Sequence, residues 1–493
     1  MKFVSTRDTS INKTGVSSAT AIKTGLAPDG GLFMPNEVPR INQQVIDELT
    51  SLPYHERASR IISTYLDDYD KELLEKDCFE AYGEERFPGG AAPLHHLKEN
   101  LSTLELWHGP TCAFKDMALQ IMPRLLSRAL KMTGEEKIAH ILVATSGDTG
   151  KAALEGYRDV PGINITVFYP VDGVSPMQKL QMTTQLGSNV NVCAVEGNFD
   201  DAQNGVKKIF SDKALAKEAE NRGFFFSSAN SINWGRLVPQ IVYYISAYCD
   251  LVRDGRIKNG DKINFCVPTG NFGNIFAGYM AKEMGLPVSR FICASNSNCV
   301  LTDFLKSGTY DRMRTFYKTM SPSRDSLISS NLERLLWLTG GAVITSACMQ
   351  KLAKDGKYTV PDAILGLIKE SFSGYYADET ETAATIKKTF EEYGYLADTH
   401  TSVALACREK YINDTGDKTY TVVVSTASPY KFAYDVCTSL GTVPESDEPR
   451  VLLSTLEKIS DTRAPRQLKA TVELPVRFRK TVSPQDMKNV IFS

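Results

Sequence analysis

Lys115 is the residue of this chain best placed to do chemistry. It lies in the run Leu106-Trp107-His108-Gly109-Pro110-Thr111-Cys112-Ala113-Phe114-Lys115-Asp116, just after a Gly-Pro breaker and just before an apolar helical pattern, Met117, Leu119, Ile121, Met122, Leu125 and Leu126. That spacing predicts a lysine at or near a helix N-terminus, where unpaired amides and the helix dipole create positive potential. Positive potential and partial burial favour the uncharged amine, the form that attacks a carbonyl carbon. Such an amine can form a Schiff base with an aldehyde, pyridoxal phosphate being the natural candidate. Most lysines near helix starts are simply solvated, so the assignment needs support from elsewhere in the chain.

Three further segments supply it. Lys262 to Val267 reads as a strand, followed by Pro268-Thr269-Gly270-Asn271-Phe272-Gly273-Asn274 and a helix through Phe276, Met280 and Met284. A glycine-bearing strand-to-helix turn lets main-chain amides close on a phosphate, although an ordinary tight turn would have the same composition. Gly270-x-x-Gly273 lacks the order of a dinucleotide fingerprint. His140 to Ala144 reads as a second strand, followed by Thr145-Ser146-Gly147-Asp148-Thr149-Gly150-Lys151. This is not a nucleotide P-loop, because Thr145 replaces the first glycine and Ala152 replaces the magnesium-binding hydroxyl residue. What remains is a nest of hydroxyls and amides suited to a small carboxylate. Tyr420 to Val424 is a third strand, followed by Ser425-Thr426-Ala427-Ser428-Pro429-Tyr430-Lys431-Phe432. Pro429 fits a first helical position, with Ser428 as N-cap.

The elements that must position these loops alternate along the chain. Ile163 to Tyr169, Asn191 to Val195 and Arg290 to Ala294 read as strands; Ser175 to Leu186, Asp200 to Arg222 and Gly235 to Val252 read as helices. Continuous apolar strands joined by helices imply an α/β fold with parallel sheets covered on both faces. Ligands of such sheets bind beyond the carboxyl ends of the strands, where all three loops fall. The first ninety or so residues differ, and Phe87-Pro88-Gly89-Gly90-Ala91-Ala92-Pro93 is a plausible boundary.

Together the loops and Lys115 resemble the threonine synthase family, in its longer bacterial and fungal form, among the fold-type II pyridoxal-phosphate enzymes. The resemblance covers nearly the whole chain. Besides the segments above it includes Ser5-Thr6-Arg7, Gly25 to Pro35, Glu196 to Ala202, Asn230 to Arg236, Ser321-Pro322-Ser323 and Ser330-Asn331-Leu332-Glu333-Arg334. It implies an N-terminal domain over 1–93, a large cofactor-binding domain over 94–135 and 229–493, and a small substrate-binding domain over 136–228. It implies pyridoxal 5'-phosphate on Lys115, the cofactor phosphate on Gly270, Asn271, Phe272, Gly273 and Asn274, and Thr426 at the pyridine nitrogen. Ser146, Asp148 and Thr149 would take the substrate's amino-acid end, and Asn233, Arg236 and Lys431 are candidates for its phosphate. The implied reaction converts O-phosphohomoserine and water to threonine and phosphate. A lyase on the same substrate giving 2-oxobutyrate, a serine or threonine dehydratase, and a non-catalytic scaffold are the alternatives. The chain departs from the family pattern at Ser428, where histidine is usual, and at Tyr430, Arg324 and Thr399.

Composition sets the outer bounds. At 493 residues the chain exceeds one compact core. A formal net charge of -2 invites neither nucleic acid nor an anionic membrane. The longest apolar stretch, around Ile241 to Val252, is too short to span a bilayer, and Met1 to Asp8 has no apolar signal core. Ten cysteines without a C-x-x-C pair suggest reduced, buried thiols and a cytoplasmic protein. No metal site is expected: the histidines are scattered, with His55, His95, His96 and His140 reading as structural and His108 and His400 lying near the candidate loops. Oligomeric state is left open.

Overall fold

The computed structural model describes residues 1–10, 14–171 and 173–492, with Arg324 described by its backbone alone. β1 (Phe3–Ser5) pairs antiparallel with β2 (Phe33–Pro35), and the helices Gln43–Thr50, Tyr54–Tyr65 and Lys71–Tyr82 follow. β3 (Leu94–Lys98) and β4 (Leu101–Glu105) begin a six-stranded sheet. β5 (Ile138–Ala144), β6 (Ile163–Pro170), β7 (Val190–Val195) and β8 (Phe224–Ser227) form most of a five-stranded sheet. β9 (Ile263–Pro268) and β10 (Val288–Ser295) return to the first sheet, while β11 (Thr309–Asp311) and β12 (Lys357–Thr359) form a separate antiparallel pair. β13 (Phe372–Tyr376) and β14 (Thr421–Ser425) complete the larger sheet, whose order is β13-β10-β9-β14-β4-β3. β15 (Thr481–Val482) lies against β7 in the smaller one, ordered β15-β7-β6-β5-β8.

The α/β reading holds, and its parallel strands are the buried apolar runs. β9 and β14 are buried at every residue, and every pairing in the two sheets is parallel except one. The exception is β3 on β4, where the chain turns back through Glu99-Asn100. So short a connection permits only an antiparallel partner. The helix Trp234–Arg253, buried over nearly its whole length, packs between the larger sheet's helix Gly273–Met284 and the N-terminal helix Tyr54–Tyr65.

Three expectations are corrected. Asp200 to Arg222 is not one helix but two, Phe199–Ser211 and Lys213–Asn221, because the Asp212 carboxylate accepts from the amides of Ala214 and Leu215, both at 3.0 Å, and caps a new start. The apolar pattern after Lys115 is likewise divided, into Asp116–Leu119 and Met122–Met132; Pro123, which has no N–H, sits in the first turn of the second. Finally, the large unit does not keep all of 229–493. Val482 pairs with Val195, and Met487, Val490 and Ile491 join the apolar cluster around Phe168, Cys193 and Val206.

Candidate active site

β9, β14 and β4 are parallel neighbours, so the loops that leave their carboxyl ends emerge side by side. The segment after β4 and the segment after β14 are hydrogen-bonded to one another. Leu106 N donates to Ser425 O at 3.0 Å, Phe114 N to Thr426 O at 2.8 Å, and Ser428 N to Cys112 O at 3.1 Å. Lys115 is thereby fixed two residues beyond a β-like bridge between Ala113 and Ala427. It is buried, immediately precedes the helix Asp116–Leu119, and holds its Nζ 4.4 Å from the centre of the Phe114 ring. Asp116 points back: its carboxylate accepts from Thr111 N at 2.8 Å and Thr111 Oγ1 at 2.7 Å. Burial pushes its carboxyl up to about 6 against the pull of those two donors. A Cβ at Gly109 would stand 2.6 Å from an Asp116 oxygen, so only glycine allows this return.

The loop after β9 is built on its main chain. Phe272 takes the left-handed conformation, with φ of 66°, as N-cap of the helix Gly273–Met284. A bulky residue there is strained, and the turn it makes opens a helix whose first amides have no partner within the helix. Gly273 N donates to Asn271 Oδ1 at 3.1 Å. Asn274 is held by Tyr243 and Tyr244, whose hydroxyls donate to its Oδ1 at 2.6 and 2.7 Å. Its Nδ2 is a buried donor with no partner. An orphaned amide beside a glycine-bearing turn at a helix N-terminus fits an anionic ligand.

The loop after β5 is different in kind. Gly147 has φ of 140°, and a Cβ on it would lie 2.3 Å from the Gln178 amide. Thr145 Oγ1 accepts from the amides of Gly147 and Gly150 at 3.0 and 2.9 Å. Asp148 is buried and saturated: Lys431 Nζ is 2.8 Å from Oδ1, Gln178 Nε2 donates to Oδ1 at 2.8 Å, and Ser323 Oγ donates to Oδ2 at 3.2 Å. Burial resists ionisation, but the Lys431 ammonium and the Gln178 amide outweigh it and hold the carboxyl down at about 2. Lys431 Nζ also donates to Thr111 O at 2.9 Å, which ties the smaller sheet's loop to the Lys115 segment. Ser146 and Thr149 flank Asp148 and are only half-buried.

The other residues singled out in the sequence have these places. Thr426 is buried within the stitched loop; Ser428 Oγ accepts from Tyr430 N at 3.3 Å, as an N-cap should, though the turn it caps is the 3-10 helix Pro429–Phe432. The Tyr430 hydroxyl meets Thr462 at 2.7 Å, and the side chain of Arg324 lies outside the described residues. Asn233 and Arg236 both bond main-chain carbonyls. Asn233 Nδ2 donates to Ile22 O at 2.8 Å and its Oδ1 accepts from Gly235 N, so it fastens the helix Trp234–Arg253 to the N-terminal unit. Arg236 donates to Ala229 O, and burial holds its guanidinium down at about 10. His108 bonds Glu105 at 2.7 Å. His400 is buried against Asp398 at 2.8 Å, and its Nε2 accepts from Ser323 N at 3.2 Å. Gln178, Ser323 and His400 thus complete the Asp148 cluster. For Ser323 the only advance sign was the Ser-Pro-Ser block; Gln178 gave none.

The chain is similar to known proteins over its whole length. A family model described as "Threonine synthase N terminus" matches residues 2–82, and one described as "Pyridoxal-phosphate dependent enzyme" matches residues 89–427. "Threonine synthase-like 1" of Homo sapiens is 40% identical over 431 residues, covering 84% of this chain and 56% of the human protein. The chain therefore spans little more than half the length of that relative. Threonine synthase of Saccharomyces cerevisiae is 37% identical over 506 residues, covering 97% of this chain and 95% of the yeast protein. A crystal structure of pyridoxal-phosphate-bound threonine synthase from Brucella melitensis superimposes with a TM-score of 0.87 at 35% identity, covering 100% of this chain and 98% of that one.

Proposed function

The chain belongs to the threonine synthase family of pyridoxal-phosphate-dependent enzymes, and on that premise we propose that it converts O-phosphohomoserine and water to threonine and phosphate. The observation that carries this reading is the stitching of the Lys115 segment to the Thr426 loop, directly beside the turn over residues 270–274. When bound, pyridoxal phosphate supplies an electron sink for the pairs left by proton removal from the substrate.

Lys115 is the residue that would hold the cofactor covalently. The amides of Gly270 to Asn274, with the orphaned Nδ2 of Asn274, would hold its phosphate, and Thr426 would face its ring nitrogen. A hydroxyl at that place, unlike a carboxylate, does not force a proton onto the ring. Once released, the Lys115 amine takes protons from Cα and Cβ of the substrate and returns protons to Cγ and Cα, while phosphate leaves Cγ and water adds at Cβ. The half-buried hydroxyls of Ser146 and Thr149 receive the substrate's carboxylate. Asp148 and Lys431 hold the loop that carries those hydroxyls. The free thiols of the chain fit a reducing compartment, the cytoplasm. Incubating the purified protein with O-phosphohomoserine and identifying the products tests the proposal. Threonine and phosphate in equal amounts are expected; phosphate accompanied by 2-oxobutyrate and ammonia in place of threonine would overturn it.

A further inference from the structure

The blocks Ser5-Thr6-Arg7, Gly25 to Pro35 and Ser330 to Arg334 stand out in the sequence, yet none of them touches Lys115 by any contact described above. The structure brings them together. The β1–β2 pairing places Thr6, whose amide donates to Leu32 O at 2.9 Å while its Oγ1 accepts from Leu32 N at 2.8 Å. Gly31 leaves room for the turn, since a Cβ there would fall 2.1 Å from Ser5 Oγ. Thr6 Oγ1 then donates to Glu333 Oε1 at 2.6 Å, and Arg7 grips the same carboxylate with two bonds, Nε to Oε1 at 2.8 Å and Nη2 to Oε2 at 2.7 Å. Glu333 is 4% exposed and Arg7 is part-exposed, so the clamp closes a buried carboxylate from the solvent side.

Glu333 lies in the first turn of the helix Leu332–Asp355, and the residues around it run straight to the turn after β9. Asn331 N donates to Asn271 O at 3.0 Å, and Asn331 Nδ2 donates to Ser231 Oγ at 3.1 Å. Asn271 Nδ2 donates to the same Ser231 Oγ at 2.9 Å, and Ser329 Oγ donates to Gly270 O. Arg334, fully buried, donates to Asn331 Oδ1 and to the carbonyls of Ser231 and Ile232. The underside of the turn is therefore held by Asn331, Ser329 and Ser231, and these are held by a helix start that the N-terminal strand clamps.

We propose that Thr6 and Arg7 are positioning residues for the cofactor-phosphate turn, acting through Glu333 and the Ser329–Arg334 segment; this rests on the reading that residues 270–274 hold the phosphate. The N-terminal unit is then part of the cofactor site without touching the cofactor. A bidentate charge-assisted pair fixes direction as well as distance, and its loss frees the helix start that sets the turn.

The test uses the full-length protein, stripped of cofactor and titrated with pyridoxal phosphate. Arg7→Ala should weaken binding roughly tenfold, the equivalent of one lost charge-assisted contact, and shift the phosphorus-31 resonance of the bound cofactor. Arg7→Lys should recover part of the loss, and Glu333→Gln should resemble Arg7→Ala. Arg57→Ala is the control, because Arg57 pairs with Asp250 at 2.7 Å elsewhere in the N-terminal unit. It should lower the melting temperature at least as much while leaving cofactor affinity unchanged. Unchanged affinity in Arg7→Ala, or equal weakening in Arg57→Ala, overturns the proposal. Gly273→Val separates the two layers: a Cβ at Gly273 already stands 3.1 Å from Asn331 Nδ2, so a branched side chain should disrupt the turn and weaken cofactor binding. If Gly273→Val leaves affinity intact, the phosphate-turn reading fails and takes the proposal with it. If only Gly273→Val weakens it, the clamp alone is wrong.

Discussion

Two buried carboxylates, Asp116 beside Lys115 and Asp148 in the loop after β5, ionise in opposite directions. Asp116 receives two hydrogen bonds from Thr111, which lower its carboxyl more than the Lys431 charge does; burial dominates, and the carboxyl sits near 6. Asp148 is as deeply buried but has Lys431 at 2.8 Å, and its carboxyl sits near 2. Neutral donors moderate the cost of burying a charge, whereas a touching cation reverses it. The two sides of the site are organised accordingly. The side proposed for the cofactor is a turn at a helix start with a donor left over, at Asn274 Nδ2, and the side proposed for the substrate satisfies its charges internally. A ligand therefore completes the first and must find uncommitted hydroxyls in the second.

That contrast can be broken at several points. The largest effect should come from Lys115→Ala, which removes the proton-shuttling amine: turnover should fall by roughly 10³-fold or more while the melting temperature changes little. A preserved rate would remove Lys115 from the chemistry altogether. Next, Lys431→Met leaves Asp148 buried without its cation and should cost about 3–5 kcal/mol of stability. Adding Asp148→Asn should recover much of that loss, and a denaturant-melt double-mutant cycle measures the coupling. A cycle showing no coupling would mean that the ion pair does not organise this side.

Acid should then separate the two carboxylates. The folded-state value of Asp116 lies above the ordinary 3.8, so ionising it costs stability at neutral pH, and that cost is relieved as pH falls from about 7 through 6 toward 4. Asp148 lies below 3.8, so its contribution is fully present above that value and is lost only as pH falls toward 2. Melts of wild type and Asp116→Asn between pH 7 and 4 should converge at the acid end. Their difference should span on the order of 2–3 kcal/mol. The smallest effect separates neighbours in one loop: Ser428→Ala should cost about 1 kcal/mol, as a lost cap does, and leave turnover nearly intact. Thr426→Ala should disturb cofactor affinity or turnover more than folding. If Ser428→Ala abolishes activity and Thr426→Ala is silent, the two roles are exchanged.

What could be read in the sequence was local. Gly-Pro before Lys115, the glycines after β5 and β9, and Pro429 after Ser428 each mark a strand-to-helix turn by their own backbone limits, and alternation alone placed those turns at strand ends. Partners distant in sequence left no such mark. The bonds that Arg236 and Asn233 make to the carbonyls of Ala229 and Ile22 are set by the fold and could not be read from the sequence. Arg7 and Glu333 are 326 residues apart, and nothing short of the assembled chain pairs them. The split at Asp212 was legible in principle, since an aspartate followed by Lys213-Ala214-Leu215 is a capping signal, but it sits inside a continuous amphipathic pattern that conceals it.

The position of β15 bears on how the chain is made. Strands β5 to β8 are complete by residue 227, yet the outer edge of β7 stays bare until Thr481 and Val482 have been added. During synthesis that edge is an open template beside the apolar cluster that Met487 and Val490 later cover. A nascent chain thus carries an uncovered strand edge from residue 195 until residues 481 and 482 have been made. The smaller sheet, although encoded early, can finish only among the last parts of the molecule to mature.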